Sequence, residues 1–522
     1  MSSRQQKFPK TTFLAAIRSG GENMSPSTLL VRTVFLASIL LASLPGSAQN
    51  SPPVSITVTK ATQFQTMEGF GTALFSESPV WDPRYLNEYT QDLGASILRV
   101  PLNPDILPSQ ITLSSDLQSN INLLNFNGNY PQTNWGQFAQ QAVGNKIDQM
   151  KIIGSIWSPP PWMKTTNNQN GGYLIQTPDN LTQFARYVAA YVKGFQQSYG
   201  VPMYGVSIQN ELRFWQPYPS TVYSPSDYVA ALKAVGAEFA RDGITTKLIG
   251  PEDVGVDGGD ITAAQMSYIN AIKADPVAKS YLSTYIIHGY SGNGVSLGSS
   301  QANWADYWNK ISADGKESWM TETSGEQTAW VSFDSTGHPN GALSVALNMH
   351  QALAYGNVNA YVYWQMNDGK NETQNTLEGG FDTTSLKYNA AKHFMKFIRP
   401  GAVRVAATPD TVTGISVDSF VEPDNSMTIE LINASANATQ TTIALPGANY
   451  ASFIEYLTTA TQPWAVIPGI LVSNGSLSIN IPANSVITLQ SDTVAAQLPE
   501  PTSALLVVPG VAMLLRRKRQ AA

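Results

Sequence analysis

The sequence predicts an α/β protein, a (β/α)8 barrel with a β-sandwich side domain. Two observations carry this reading. Between residues 66 and 400 a short apolar strand, a loop and an amphipathic helix recur eight times, the rhythm of a closed parallel barrel. From residue 401 the long helices stop, and apolar and polar residues alternate between short Asn, Gly and Pro turns, the pattern of a sandwich.

The elements follow in order. Residues 1–48 form a leader region, and "LLVRTVFLASILLASLPGSAQN" (29–50) has Arg32, an apolar run from Val34 to Leu44, and Gly46-Ser47-Ala48. That layout predicts an export signal cut after Ala48, with Met24 as a candidate start. "PVSITVTKA" (53–61) reads as a strand, and residues 53–65 are expected to join the side domain. The barrel strands are "TMEGFG" (66–71), "SILRVPL" (96–102), "IIGSIW" (152–157), "YGVSIQNE" (204–211), "KLIGPED" (247–253), "YIIHGY" (285–290), "SWMTET" (318–323) and "AYVYWQ" (360–365). Helices fit between them: residues 180–200 put Phe184, Val188, Tyr191 and Val192 near one face, and residues 224–243 open on Ser-Pro and close on Gly. An open doubly wound sheet would want a GxGxxG phosphate loop after its first strand, and "EGFGTALF" has none. Residues 401–491 form the side domain. Residues 499–519 combine Pro499-Glu500-Pro501, an apolar run from Ala504 to Leu515 and the basic Arg516-Arg517-Lys518-Arg519.

Composition narrows the function. Of 522 residues, 43% are hydrophobic and 13% charged, enough for large cores and against disorder. The net charge of −6 comes with no basic stripe before the last residues, which argues against nucleic acid. There is no cysteine, so disulfides and thiolate metal sites are excluded, and four histidines make a histidine-rich metal site a poor expectation. No cofactor or metal is expected, and a monomer is.

In such barrels the chemistry sits at the C-terminal ends of the strands. Read in order, those ends offer Glu68, Arg99, Trp157, Asn210 with Glu211, Glu252 with Asp253, His288 with Tyr290, Glu322 and Trp364. A lone strand-end carboxylate is ordinarily structural, and Glu252 and Asp253 are left outside the expected site on that ground. Trp162, in "SPPPWMK", is as readily core as substrate-facing. The convergence matters more: two glutamates end the fourth and seventh strands, ringed by an arginine, an imidazole, a phenol and two tryptophans. Two carboxylates across an aromatic cleft suit glycoside hydrolysis, one donating a proton to the leaving oxygen and one ionised to attack the anomeric carbon. Asn210 is placed to bond a sugar 2-hydroxyl, and Arg99 and Tyr290 to hold Glu322 ionised. Trp157 and Trp364 offer flat faces to sugar rings.

"RVPLNPD" (99–105), "IWSPPPWMK" (156–164), "SIQNE" (207–211), "HGY" (288–290) and "WMTETSG" (319–325), with the closing "FIRPGAVRV" and "IPANSVITL", resemble glycoside hydrolase family 30 over residues 53 to 490. The resemblance implies Glu211 as acid/base and Glu322 as nucleophile. It implies Arg99, Trp157, Asn210, Tyr290 and Trp364 as substrate-binding residues, to which the strand-end reading adds His288, and a polysaccharide or oligosaccharide as substrate. The chain is most similar to the bacterial xylanase branch. The family's other specificities, namely β-1,6-galactanase, β-1,6-glucanase, glucosylceramidase and β-xylosidase, stay open. So does a non-catalytic carbohydrate-binding surface protein. Glucuronoxylan-specific members carry paired arginines just after the last barrel strand, where this chain has Asn367-Asp368. The tail resembles a PEP-CTERM sorting signal. That implies export by a Gram-negative bacterium to the outer surface or beyond, with transient membrane association through the tail.

Overall fold

The computed structural model describes residues 51–492, except residues 76, 108, 145–149, 257–259 and 291–300. The export signal before Ala48 and the sorting tail from Pro499 lie outside the described residues.

The chain enters on β1 (Ser51–Thr66) and then builds eight parallel strands: β2 (Gly69–Ala73), β3 (Ile97–Leu102), β4 (Lys151–Ile156), β5 (Met203–Ser207), β6 (Lys247–Asp253), β7 (Leu282–His288), β8 (Glu317–Glu322) and β9 (Ala360–Gln365). They pair in chain order, and β9 closes on β2 with Gly69 opposite Ala360. The predicted barrel is therefore the observed one. Parallel neighbours require crossovers, and capped helices supply them. The helix Pro178–Tyr199 starts at Thr177, whose side chain accepts from the Asn180 backbone N–H, and stops at Gly200 with φ 71°. Its buried stripe, from Phe184 to Tyr199, packs on the barrel. The barrel interior is filled by Ile97, Ile153, Ile249, Ile286, Trp319 and Val362, so it is a packed core with a working face at one end only.

The other end corrects one expectation. Glu68 precedes β2 and lies at the N-terminal mouth, where it pairs with Lys151 at 2.8 Å and accepts from the Tyr204 hydroxyl at 3.0 Å. The strand is GFGTA rather than TMEGFG, so its C-terminal end delivers Phe75, not Glu68, to the site face.

After the barrel come β10 (Val403–Thr408), β11 (Thr411–Val412), β12 (Ile415–Val421), β13 (Met427–Asn433), β14 (Thr439–Ala444), β15 (Ser452–Thr459), β16 (Gln462–Leu471), β17 (Ser476–Ile481) and β18 (Ser485–Ser491). They run in the order β16-β15-β18-β13-β12-β10-β1-β14-β17. Ile443 and Ile479 from one end of this path share a core with Phe453 and Leu489 from the other, so the path folds back into a sandwich. β1 lies between β10 and β14, which ties the start of the described chain into the side domain.

Two histidines glue the domains. His350, on the helix Leu343–Ala354, holds the buried Asp418 of β12 at 2.8 Å. His393, on the helix Leu386–Phe397, contacts Thr488 at 2.7 Å and Thr458 at 2.9 Å. Burial, with nearby Lys392, pushes His393 down to about 3, so it is a neutral structural imidazole.

Candidate active site

β5 ends at Ser207, yet its ladder continues through the polar residues that follow. The Asn210 N–H donates to the Ile156 carbonyl at 2.7 Å, and the Glu211 N–H to the Glu252 carbonyl at 2.7 Å. Gln209 pins the turn from its side chain, donating to the Trp157 and Asn210 carbonyls. Glu211 itself has φ 44°, a left-handed conformation that costs a non-glycine residue about 1–3 kcal/mol and collects at functional positions. The neighbouring strands hold it there, and its carboxylate is delivered to the barrel mouth.

Arg99, on β3 and 1% exposed, organises the floor. Its guanidinium donates to Glu322 Oε2 at 2.6 Å, to Asn210 Oδ1 at 2.6 Å, to Glu252 Oε1 at 3.1 Å and to Ser155 Oγ at 3.2 Å. Because Arg99 occupies Asn210 Oδ1, the Nδ2 donors are the ones left for a hydroxyl. The Tyr290 hydroxyl donates to Glu322 Oε1 at 3.1 Å. His288 sits between the carboxylates: Nδ1 is 3.3 Å from Glu211 Oε1, and Nε2 is 3.5 Å from Glu252 and 3.8 Å from Glu322.

Three carboxylates thus share two cationic groups in one place, and their titration follows from that. Glu252 is buried, which would raise it, but Arg99, His288 and the 2.5 Å bond from Ser155 outweigh burial and hold it well below the usual range. Burial also opposes charge on His288. The Glu322 charge and the contacts with Glu211 and Glu252 overcome it and push His288 up to about 10, an imidazolium at neutral pH. Glu322 titrates above an exposed glutamate even though the His288 and Arg99 charges favour its ionised form. Arg99 and Tyr290 do contact it, but burial, and behind it the Glu211 and Glu252 charges, raise its carboxyl above the ordinary 4.5. Since attack needs the carboxylate, kcat/KM on an aryl glycoside should fall with acidification along a limb displaced above pH 4.5. A pH–rate profile checks this, and a limb at or below 4.5 contradicts it.

One carboxylate oxygen each of Glu211 and Glu322 and a ring nitrogen of His288 lie within 4.8 Å of one another. Such a trio has the spacing of a metal site, and a cation binding there would have to displace the proton that the carboxylates hold on His288. The two glutamates thus approach to within 4.8 Å at one oxygen each, across the barrel mouth.

Above the carboxylates opens a cleft of about 600 Å³ lined by Trp157, Trp364, Phe75, Tyr218 and Tyr290. Trp157 and Trp364 stack at 5.6 Å, with Phe75 packed on both. Of the residues expected from sequence, Glu211, Glu322, Arg99, Asn210, His288, Tyr290, Trp157 and Trp364 therefore meet in one place. Trp162 does not join them; it lines a separate depression with Ile111 and Ile175.

Glu252 belongs to the site, contrary to the expectation that it lies outside. It is 1% exposed and bound to both cations of the site. The readable signal was its place on the strand beside Glu211, facing an arginine already assigned to the floor. Asp253 is structural as expected, pairing at 2.5 Å with Arg213 of the loop after Glu211. Glu252→Ala should destabilise the protein by about 3–5 kcal/mol, the usual cost of stranding a buried charge. Denaturant midpoints measure it, and a loss under ~1 kcal/mol would show that Arg99 and His288 do not depend on it.

Comparison with known proteins agrees with this geometry. Residues 68–266 match the glycosyl hydrolase family 30 TIM-barrel domain, and residues 401–489 the glycosyl hydrolase family 30 beta sandwich domain. The glucuronoxylanase XynC of Bacillus subtilis is 23% identical over 88% of this chain and 97% of its own. An endo-1,6-beta-D-glucanase of Neurospora crassa is 26% identical over 70% of this chain and 76% of its own. Among solved structures, an endoxylanase of the family from Clostridium papyrosolvens C71 superposes with a TM-score of 0.65 at 23% identity, covering 84% of this chain and all of that one.

Proposed function

The chain is a glycosidase of glycoside hydrolase family 30, and from that premise we propose that it is an exported, retaining endo-β-glycanase of the xylanase type, with Glu211 as acid/base and Glu322 as nucleophile. The observation that carries the mechanism is the approach of Glu211 and Glu322 within 4.8 Å beneath stacked tryptophans. In the first step a Glu322 oxygen attacks the anomeric carbon while Glu211 gives its proton to the departing glycosidic oxygen. A glycosyl ester on Glu322 results. In the second step Glu211, now ionised, takes a proton from water, which attacks the same carbon and releases Glu322. Asn210 Nδ2 bonds the 2-hydroxyl, a contact that tightens as the ring flattens. His288 and Arg99 keep the crowded negative charge tolerable throughout.

The xylan reading is supported by the glucuronoxylanase relative, which spans nearly the whole chain. Strict dependence on glucuronate is not proposed. Asn367 is buried and donates to Glu378 at 2.9 Å, and Asp368 Oδ1 accepts from the Lys370 backbone, so this loop offers a carboxylate where an arginine fork would be needed. A second reading, cleavage of β-1,6-linked glucan, is favoured by the Neurospora relative. Export is supported by the layout of residues 1–48, and retention at the outer surface of a Gram-negative cell by the tail from Pro499. The mature chain is then expected to start at Gln49 and to act as a monomer.

The test is product analysis on glucuronoxylan, arabinoxylan, linear xylooligosaccharides, β-1,6-glucan and β-1,6-galactan. The proposal expects cleavage of undecorated xylan chains at least as fast as of glucuronoxylan, with products not registered to the side group. Activity confined to a β-1,6-linked polymer would overturn the substrate and leave the glutamates in place.

A further inference from the structure

We propose that Trp215 and Tyr173 form a second glycan-contact site on the rim of the cleft, a flat aromatic platform that takes a sugar ring of the same β-glycan chain outside the carboxylate pocket. It rests on the glycanase reading of that pocket. Both rings are open to solvent, Trp215 57% and Tyr173 48% exposed, and they meet edge to face at 6.2 Å. Trp215 follows Glu211 by four residues and stands between Phe214 and Gln216, which both line the cleft. The platform and the acid/base carboxylate are thus carried on one loop.

The indole is seated rather than stray. It lies on the backbone of Gly171, where a Cβ would come within 2.1 Å of the indole Nε1 and Cε2, and where φ is +61°. Only glycine gives the ring that bed. The loop beneath is sewn to the loop of Trp215: the Val222 N–H donates to the Gly172 carbonyl at 2.8 Å, the Ser220 N–H to the Gln169 carbonyl at 3.1 Å, and Asn170 Nδ2 to the Pro217 carbonyl at 2.9 Å. Lys164 locks the seam from below. It is 2% exposed, and its ammonium donates to Ser158 Oγ at 3.0 Å, to the Gln169 carbonyl at 2.7 Å and to the Ser220 carbonyl at 2.6 Å. Burying an ammonium against neutral acceptors alone is costly, and burial lowers Lys164 to about 7.

Gly171 seats one face of the indole, yet both rings of the pair stay about half exposed to solvent. Held in advance, the pair presents an apolar face to the C–H face of a sugar ring at little entropic cost. The occupant is the glycan running out of the cleft, because the platform's flanking residues are the cleft's own wall.

The full chain is run by affinity electrophoresis through gels containing linear β-1,4-xylan or linear β-1,6-glucan, and assayed on both polymers and on 4-nitrophenyl β-xyloside and β-glucoside. Trp215→Ala should lose most of the retardation and raise KM on the polymer about ten-fold, the scale of one anchoring aromatic. Its kcat and its rates on the aryl glycosides should stay within two-fold (about 0.4 kcal/mol) of the parent. Tyr173→Ala should shift KM in the same direction and serves if the first variant fails to fold. Unchanged retardation in both variants, a parent not retarded by either polymer, or an equal loss on aryl glycosides would overturn the platform. A parent that is retarded but releases no sugar would overturn the hydrolase reading and leave the platform standing.

Discussion

Glu322→Gln is expected to lower kcat/KM by about 10⁵-fold on every β-glycoside, whatever its leaving group, on the scale seen when a covalent nucleophile is removed. The amide cannot form the glycosyl ester, and no leaving group compensates for that. The fold should survive, because the substitution removes one negative charge from a cluster in which Glu211, Glu252 and Glu322 share the cations Arg99 and His288. With the Glu322 charge gone, a small nucleophilic anion such as azide meets less repulsion and should restore some turnover of an activated aryl glycoside. Rates on activated and unactivated substrates that fall by less than about 100-fold would remove Glu322 from the nucleophile role.

Glu211→Gln is expected to fail differently. On polymer, whose leaving oxygen must be protonated, the loss should be about 10³-fold, within the range for general acid catalysis. On a dinitrophenyl glycoside, whose leaving group departs as the anion, the first step should proceed at close to the parent rate. The glycosyl-enzyme then accumulates, because no base activates water, and KM falls with kcat. A burst followed by slow turnover would report this. The reverse pattern between the two variants would mean that their roles are exchanged.

The site was legible where strand ends carry unusual side chains. "SIQNE" places two amides and a carboxylate where an apolar strand should turn into a loop, and the structure shows why: the ladder to β4 and β6 runs on through Asn210 and Glu211. His288 and Tyr290 were legible for the same reason, whereas Arg99 sits in the middle of β3 and stood out as a charge inside an apolar strand. The position of Glu68 was not, because "TMEGFG" and "GFGTA" have equal claim to one strand, and a shift of a few residues moves a side chain from one barrel mouth to the other. That shift also hid Phe75. Glu252 was hidden by chemistry rather than register. A buried carboxylate at a strand end is structural until its partners are known, and its partners come from β3 and β7, about 150 and 36 residues away in sequence. The titration of Glu322 was out of reach as well, since it is set first by burial and then by charges from three other strands. Trp215 and Tyr173 gave no periodic signal, being loop residues whose meaning depends on which loops touch.

The central claim is that Glu322 attacks the sugar while Glu211 serves the leaving group. A 2-deoxy-2-fluoro glycoside with an activated leaving group slows both steps but, with so good a leaving group, lets the first outrun the second, so the covalent intermediate accumulates. After digestion, mass spectrometry should find one fluoroglycosyl adduct, on the peptide containing "WMTETSG" and on Glu322 within it. An adduct on Glu211 or Glu252, or inactivation with no adduct alongside an inverted first product, would contradict the account.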